Sequence, residues 1–159
     1  MKLDEIDVKI LNELQKDARI RTVDLAERVG LSATPCQRRL KILEEEGFIQ
    51  RFTALIDPEK VGYSINVFIF VQLERKTETQ FEIFEAEIHK CPEVMECHLV
   101  TGVHDYLLRI VSHDMAGYEH FVTGKLTRIE GVKDIQSFFS VRRITYETAL
   151  PIALPRHES

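Results

Sequence analysis

The chain has 159 residues, 44% of them hydrophobic and 30% charged, with a formal net charge of −5. That is the make-up of one globular domain or two small ones with enough apolar residues for a core. No apolar run approaches the roughly 20 residues that span a bilayer, and Met1-Lys-Leu-Asp-Glu-Ile-Asp lacks the basic-then-apolar layout of a secretion signal, so a cytoplasmic protein without membrane association is expected. The acidity excludes a generally basic nucleic-acid coat, and any DNA contact has to come from a local patch.

Residues 1 to 60 hold 11 Lys and Arg against 12 Asp and Glu, and residues 61 to 159 hold 10 against 14, so the acid excess lies mainly in the second part. Cys36, Cys91 and Cys97 cannot all pair internally, which suits free thiols in a reducing compartment.

Leu3, Ile6, Ile10, Leu11 and Leu14 recur at three- and four-residue steps and predict an amphipathic helix from about Asp4 to Asp17. A second short helix is expected to be capped by Thr22, with Leu25, Ala26 and Val29 inward and Gly30 at its end. A third begins almost at once, capped by Ser32 or Thr34, with Pro35 in the first turn where a missing N–H breaks no helical bond. At about 100° per residue, Cys36, Leu40, Leu43 and Gly47 face one side. Thr34, Arg38 and Lys41 lie opposite, with Gln37 and Arg39 on the flanks. The outward face is polar and basic, and Glu44-Glu-Glu46 reverses the charge beyond it. Phe48 to Ile56 alternates as a strand or hairpin would, and Asp57-Pro58 ends it.

From Ser64 the period changes. Ile65, Val67, Ile69, Val71 and Leu73 share one strand face and Asn66, Phe68, Phe70 and Gln72 the other. A helix with Phe81, Phe84 and Ile88 inward follows, then a strand near Val94 to Thr101, the tight connection Gly102-Val-His-Asp105 and a strand from Tyr106 to Ser112. A helix from about Met115 to Thr127, with Tyr118, Phe121, Val122 and Leu126 inward, precedes a long last strand near Val132 to Arg143. The order βαββαβ, with right-handed crossovers, gives a four-stranded antiparallel sheet with two helices on one side, the ferredoxin-like plan. The other sheet face needs cover, which a second subunit supplies economically.

The expected fold is therefore α+β: a winged helix-turn-helix over 1–56, a linker at 57–62, a ferredoxin-like domain over 63–150 and a tail at 151–159, frayed from Leu154. In a winged helix-turn-helix the third helix enters the major groove. Gln37 suits adenine edges and Arg38 a guanine edge, whereas Arg39, Lys41 and Arg51 suit phosphates. A solvated helix packed on its two neighbours is the plainer alternative. Catalysis finds little support: Cys97 and His98 point to opposite faces of a strand, and the cysteines are spaced too widely for the usual zinc pairs, so no metal or cofactor is implied. The Gly102–Asp105 loop is a better candidate. It can offer backbone amides, and Asp105 a carboxylate, to a small zwitterion such as an amino acid.

Over nearly its full length the chain resembles the Lrp/AsnC, or feast/famine, family of transcription regulators. The resemblance rests on Leu3-Asp-Glu-Ile-Asp-Val-Lys-Ile-Leu, Asp17-Ala-Arg, Leu25-Ala-Glu-Arg-Val-Gly-Leu-Ser32, Arg38-Arg-Leu-Lys-Ile-Leu-Glu-Glu-Glu-Gly-Phe-Ile49, Asp57-Pro58, Thr101-Gly-Val-His-Asp-Tyr-Leu-Leu108 and Thr148-Ala-Leu-Pro151. It implies a regulator, not an enzyme, that binds double-stranded DNA, forms homodimers through its sheets, assembles further, often to octamers, and takes an amino-acid effector between dimers. On matching positions the recognition helix is Ser32 to Glu46, and the effector loop comprises Gly102, Val103, His104, Asp105 and Tyr106. Asp114 and the stretch Ser137 to Phe139 match the family's ligand-cleft region. His104 stands where family members vary, so the effector's identity is not implied. An enzyme-associated amino-acid sensor and a non-DNA scaffold are the competing classes, and no segment is large enough for an added catalytic domain.

Overall fold

The computed structural model describes residues 2–153, so the tail expected to fray from Leu154 lies outside the described residues. The chain forms two compact units, one from the described parts of 1–55 and 145–159 and one from 56–144.

In the first unit, helix α1 spans Glu5–Lys16, α2 Thr22–Val29 and α3 Ala33–Glu45. The stripe read from the sequence buries Ile10 and Leu11 against Leu25, Ala26, Val29, Cys36 and Leu43. Asp4 caps α1, its Oδ1 accepting from the N–H groups of Ile6 and Asp7 at 2.9 Å, while its own N–H donates to Asp7 Oδ2 at 3.1 Å. This is a reciprocal capping box with aspartate in the usual glutamate position. At α2 the cap residue is Arg21 rather than Thr22, which is the first helical residue. Arg21 clasps Asp24 of the first turn instead, at 2.8 and 2.9 Å. Ser32 is the cap residue of α3, with no side-chain cap bond. Gly30 takes a left-handed φ of 76°, the conformation that lets α2 stop and α3 start three residues later.

A further expectation fails in this unit. The segment from Phe48 to Ile56 forms neither strand nor hairpin. Alternation supplies strand propensity, but a ladder also needs a neighbour, and no described strand pairs with this segment. Up to residue 153, before the point where fraying is expected, the C-terminal stretch joins this unit. Ile152 packs against the three-helix core, and Gln15 of α1 holds Leu150 by both backbone groups, donating to its carbonyl at 3.1 Å and accepting from its N–H at 2.6 Å. By their contacts, residues from 145 on group with the three-helix unit, whereas the tail is expected from 151.

In the second unit, β1 is Ile65–Leu73, α4 Glu78–Ile88, β2 Val94–Leu99, β3 Tyr106–Ser112, α5 Met115–Gly124 and β4 Val132–Phe139. The antiparallel sheet runs β2-β3-β1-β4, as the ferredoxin-like plan requires. Val67, Ile69, Val71, Leu108 and Ile110 are fully buried beneath Phe84 and Phe121. The linker expected at 57–62 belongs to this unit: it forms a short 3-10 turn, Glu59–Val61, and the Gly62 carbonyl meets His113 Nδ1 at 2.8 Å. Helix α5 stops at Gly124, short of Thr127, because Lys125 leaves helical geometry and a 3-10 turn carries Leu126 into the core. Strand β4 ends at Phe139 rather than Arg143, opposite Val67, with one further bond from the Ser140 N–H to the Asn66 carbonyl at 2.9 Å.

The sheet's two faces differ. Phe68 lies directly across from Phe138 on the helix-free face, Phe70 meets Phe138 edge-on at 5.8 Å, and Leu107 and Val111 share that face.

Candidate functional site

Helix α3 sorts its residues by side. Cys36 and Leu43 are fully buried, while Ser32, Thr34, Gln37, Arg38 and Lys41 are exposed, as their spacing requires. Of the three cations on α3, Lys41 makes a loose pair with Glu45 at 3.5 Å and Arg38 has no acidic partner among the described residues. Arg51 is likewise exposed. Helix α3 carries no acid in its first turn, so the positive end of its dipole is not neutralised.

Arg39 departs from the expected phosphate contact. Its Nη1 donates to Asp4 Oδ2 and to Asp7 Oδ1, both at 2.7 Å, across 35 and 32 residues of sequence. A flank position on the helical wheel thus faces α1 rather than solvent. The Asp7 N–H is the main influence holding the Asp4 carboxyl below its ordinary value; partial burial opposes it and Arg39 adds to it.

The loop between β2 and β3 divides as sharply. Val103 is 74% exposed, Gly102 has φ 117°, and the N–H groups of Gly102, Val103 and His104 donate to no acceptor among the described residues. The His104 ring lies 5.0 Å from that of Phe70. Asp105, expected to face a ligand's ammonium, is instead 3% exposed. Its Oδ2 accepts from the Leu73 N–H and its Oδ1 pairs with Lys76, both at 2.8 Å. Burial is the largest influence on this carboxyl and pushes its pKa up, but Lys76 and the Leu73 N–H together hold it below the ordinary value. Tyr106 also turns inward: its ring sits 4.4 Å from Phe84 and its hydroxyl donates to Glu85 Oε1 at 2.7 Å. Burial and that carboxylate raise its pKa. Asp105 and Tyr106 hold the loop's base, which leaves Gly102, Val103 and His104 as its presenting part.

Asp114, Ser137 and Phe139 gather elsewhere. Asp114 caps α5, accepting from the Gly117 N–H at 2.7 Å. Tyr118, one turn on, donates to Ser137 Oγ at 2.8 Å and packs edge-on against Phe139 at 4.8 Å. Ser137 and Phe139 lie opposite Ile69 and Val67 of β1, level with the middle of β3, whereas Asp114 lies two residues beyond the end of β3 and the loop before its start, so Asp114 and the loop are about 20 Å apart. One protomer does not bring them together.

Cys91 and Cys97 both line a groove of about 460 Å³ between α4 and β2, with His89, Leu99 and Tyr106. Among the described residues no three His, Cys, Asp or Glu side chains are grouped to hold a metal. The protein around the Cys97 sulfur, with the Glu85 carboxylate, pushes its thiol up to about 11, which disfavours the thiolate that metal binding or nucleophilic attack uses.

Sequence reasoning missed Lys76 and gave Tyr118 only an apolar role. Tyr118 carried a signal, a hydroxyl on an inward stripe that must find a partner when buried. Nothing local marks Lys76, whose carboxylate lies 29 residues away across the sheet end.

A three-helix unit that presents a partly unpaired basic helix, with a βαββαβ unit whose loop offers free amides, defines a helix-turn-helix regulator with an attached ligand domain. Residues 3–50 match the family model described as winged helix-turn-helix DNA-binding, and residues 66–150 match the Lrp/AsnC ligand binding domain. The chain is 44% identical over 150 residues to the leucine-responsive regulatory protein of Salmonella typhimurium, a match covering 94% of this chain and 92% of that protein. A transcriptional regulator of Neisseria meningitidis, solved in complex with L-Met, superposes with a TM-score of 0.89 at 43% identity, covering 94% of this chain and 97% of that one. An AsnC family transcriptional regulator of Agrobacterium tumefaciens gives 0.88 at 40% identity, covering the same shares. The chain belongs to the Lrp/AsnC family: it is a DNA-binding transcriptional regulator with a ligand-binding domain, and not an enzyme.

Proposed function

We propose that α3 reads an operator in the major groove, with Ser32, Thr34, Gln37, Arg38 and Lys41 facing DNA and Arg51 reaching the backbone beside it. The observation that carries this reading is the division of α3: its inward residues are locked in the core, while Arg38 stands on the opposite face without an acidic partner. Gln37 and Arg38 have the donor and acceptor geometry for base edges, and Lys41, Arg51 and the positive helix end suit phosphates. Two copies joined through the helix-free sheet faces place two such helices on a dyad-symmetric site, and further association of dimers, to an octamer, extends the contact along DNA. The regulator acts in the cytoplasm, where DNA and small metabolites meet it.

The effector in this reading is an amino acid. Its carboxylate is received by the free amides of Gly102, Val103 and His104. Because Asp114 lies beyond the far end of β3 from the loop, it completes the site only from another copy, which makes binding sensitive to assembly. Differential affinity for two assembly states then changes DNA binding.

Footprinting tests the first part. The intact protein should protect a dyad-symmetric site, and Arg38→Ala should abolish or relax that footprint with the oligomer unchanged; an identical footprint from the variant counts against α3. An amino-acid screen by thermal shift, repeated on Val103→Asp and Asp114→Ala, tests the second. Loss of the shift in both variants is expected, and a shift that survives both removes these residues from the site.

A further inference from the structure

We infer that Arg39 is a positioning residue for operator reading and not a phosphate contact: its fork to Asp4 and Asp7 sets the angle at which α3 offers Arg38 and Gln37 to DNA. The inference rests on the proposed DNA-binding role of α3 and assigns a part of that machinery which the helical wheel assigns wrongly.

Helix α3 has only two fully buried side chains, Cys36 and Leu43, and one of them is small. Apolar contacts are non-directional, so these anchors, with Leu40 partly buried beside them, fix the roll of the helix less tightly than a hydrogen bond of defined angle does. Arg39 supplies direction. One nitrogen meets two carboxylates at 2.7 Å each, and those carboxylates are themselves immobilised by the reciprocal bonds of the α1 capping box. A charge-assisted bond to a fixed partner restrains angle as well as distance. Arg38 precedes Arg39 by one residue, so fixing Arg39 toward α1 turns Arg38 about 100° away from it.

The alternative, in which Arg39 swings out to a phosphate, leaves Asp7 without its cation. Asp7 is 4% exposed, and a buried carboxylate stripped of its partner opposes that movement. The direction of one substitution separates the two roles. Asp7→Asn removes a negative charge from the DNA-binding unit and also loosens Arg39. If Arg39 positions α3, Asp7→Asn weakens operator binding despite the more favourable net charge. If Arg39 is a phosphate ligand held in reserve, the same change releases it and tightens binding.

The experiment uses the full-length oligomer and a duplex carrying the footprinted site, with affinity measured across a salt series. Asp7→Asn and Arg39→Lys should each weaken specific binding by about tenfold while leaving the slope of affinity against salt unchanged, since lysine keeps the charge but its nitrogen ends one bond short of where Nη1 meets both carboxylates. Tighter or unchanged binding by Asp7→Asn, full activity of Arg39→Lys, or a salt slope that falls by about one in Arg39→Ala overturns the inference. Should Arg39→Ala fail to fold, Asp7→Asn and Arg39→Lys still decide it. Absence of any protected site with the unaltered protein is a different result, and it removes the DNA-binding role of α3 itself.

Discussion

Helix α3 and the open face of the sheet handle their exposed surfaces in opposite ways. The three-helix unit closes its core with its own residues and those of the C-terminal stretch, and what it leaves outside on α3 is polar and charged. The sheet unit closes one face of its sheet under two helices and leaves on the other Phe68, Phe70, Leu107, Val111 and Phe138, with Phe138 47% exposed. A charged remainder attracts a polyanion at a distance and tolerates solvent in its absence. An apolar remainder is stabilised only by contact, and a second copy of the same face is a complementary partner at equal concentration. The difference supports the proposal that recognition belongs to the first unit and assembly to the second.

The sharpest way to test this separation is to damage one core and watch the other. Phe84 of α4 is fully buried against Tyr106, and Phe84→Ala should cost the sheet unit about 3–5 kcal/mol. Calorimetry should then show a sheet transition moved far down while the three-helix transition stays near its place. Movement of both together would mean the units fold as one.

Assembly gives the next largest effect. Phe138→Asp sets a charge on the open face, and in a two-fold interface the change is made twice. The dimer should weaken by about a hundredfold or more, read by sedimentation over a concentration series, while each monomer keeps its helix content. A variant that stays dimeric would move the interface off this face.

Such tests bear on features that were legible because they are local. The alternation of β1 named the buried and open sides of the sheet residue by residue, the order of elements gave the strand order, and the 100° spacing placed Cys36 inside and Arg38 outside. What stayed hidden was pairing over long separations. Asp105 looked like a ligand for an ammonium because a loop carboxylate beside glycine is an open acceptor until Lys76 and the Leu73 N–H are known to reach it. Arg39 looked like a phosphate contact for the same reason, since its acidic partners lie more than 30 residues back. The strand read into Phe48 to Ile56 failed from the converse cause: propensity is a property of the segment, but a ladder belongs to two.

The Asp105 network yields a pH test. Its carboxyl has an ordinary value of 3.8 and is held lower in the fold. The stabilisation is therefore complete above about pH 4, where the unfolded carboxyl is also ionised, and is lost as pH falls through the lower folded value. Asp105→Asn should cost the sheet unit roughly 1–3 kcal/mol at neutral pH, with the gap to the unaltered protein closing only under acid. A gap that persists undiminished at pH 2 would show that shape and not charge is at stake, and a variant as stable as the parent at pH 7 would dismiss the pair.

The smallest effect concerns how the first unit is completed. Gln15 holds Leu150 by both its N–H and its carbonyl, and Asn12 donates to the Ile152 carbonyl at 3.4 Å, the longest of the three bonds. A glutamine amide matches an extended backbone with one donor and one acceptor, so its contribution depends on both being used. Because the Gln15–Leu150 bonds lie at an exposed surface, water replaces them at little loss, and Gln15→Ala should lower the three-helix transition by only about 0.5–1.5 kcal/mol. Ile152 adds apolar contact with the core. Ending the chain after Thr148 should therefore exceed Gln15→Ala in effect on this unit and leave the sheet transition where it was. If truncation moved the sheet transition instead, the C-terminal stretch would belong with the sheet unit, and the proposed division between the charged face of α3 and an apolar sheet face that takes a partner would have to be redrawn at that point.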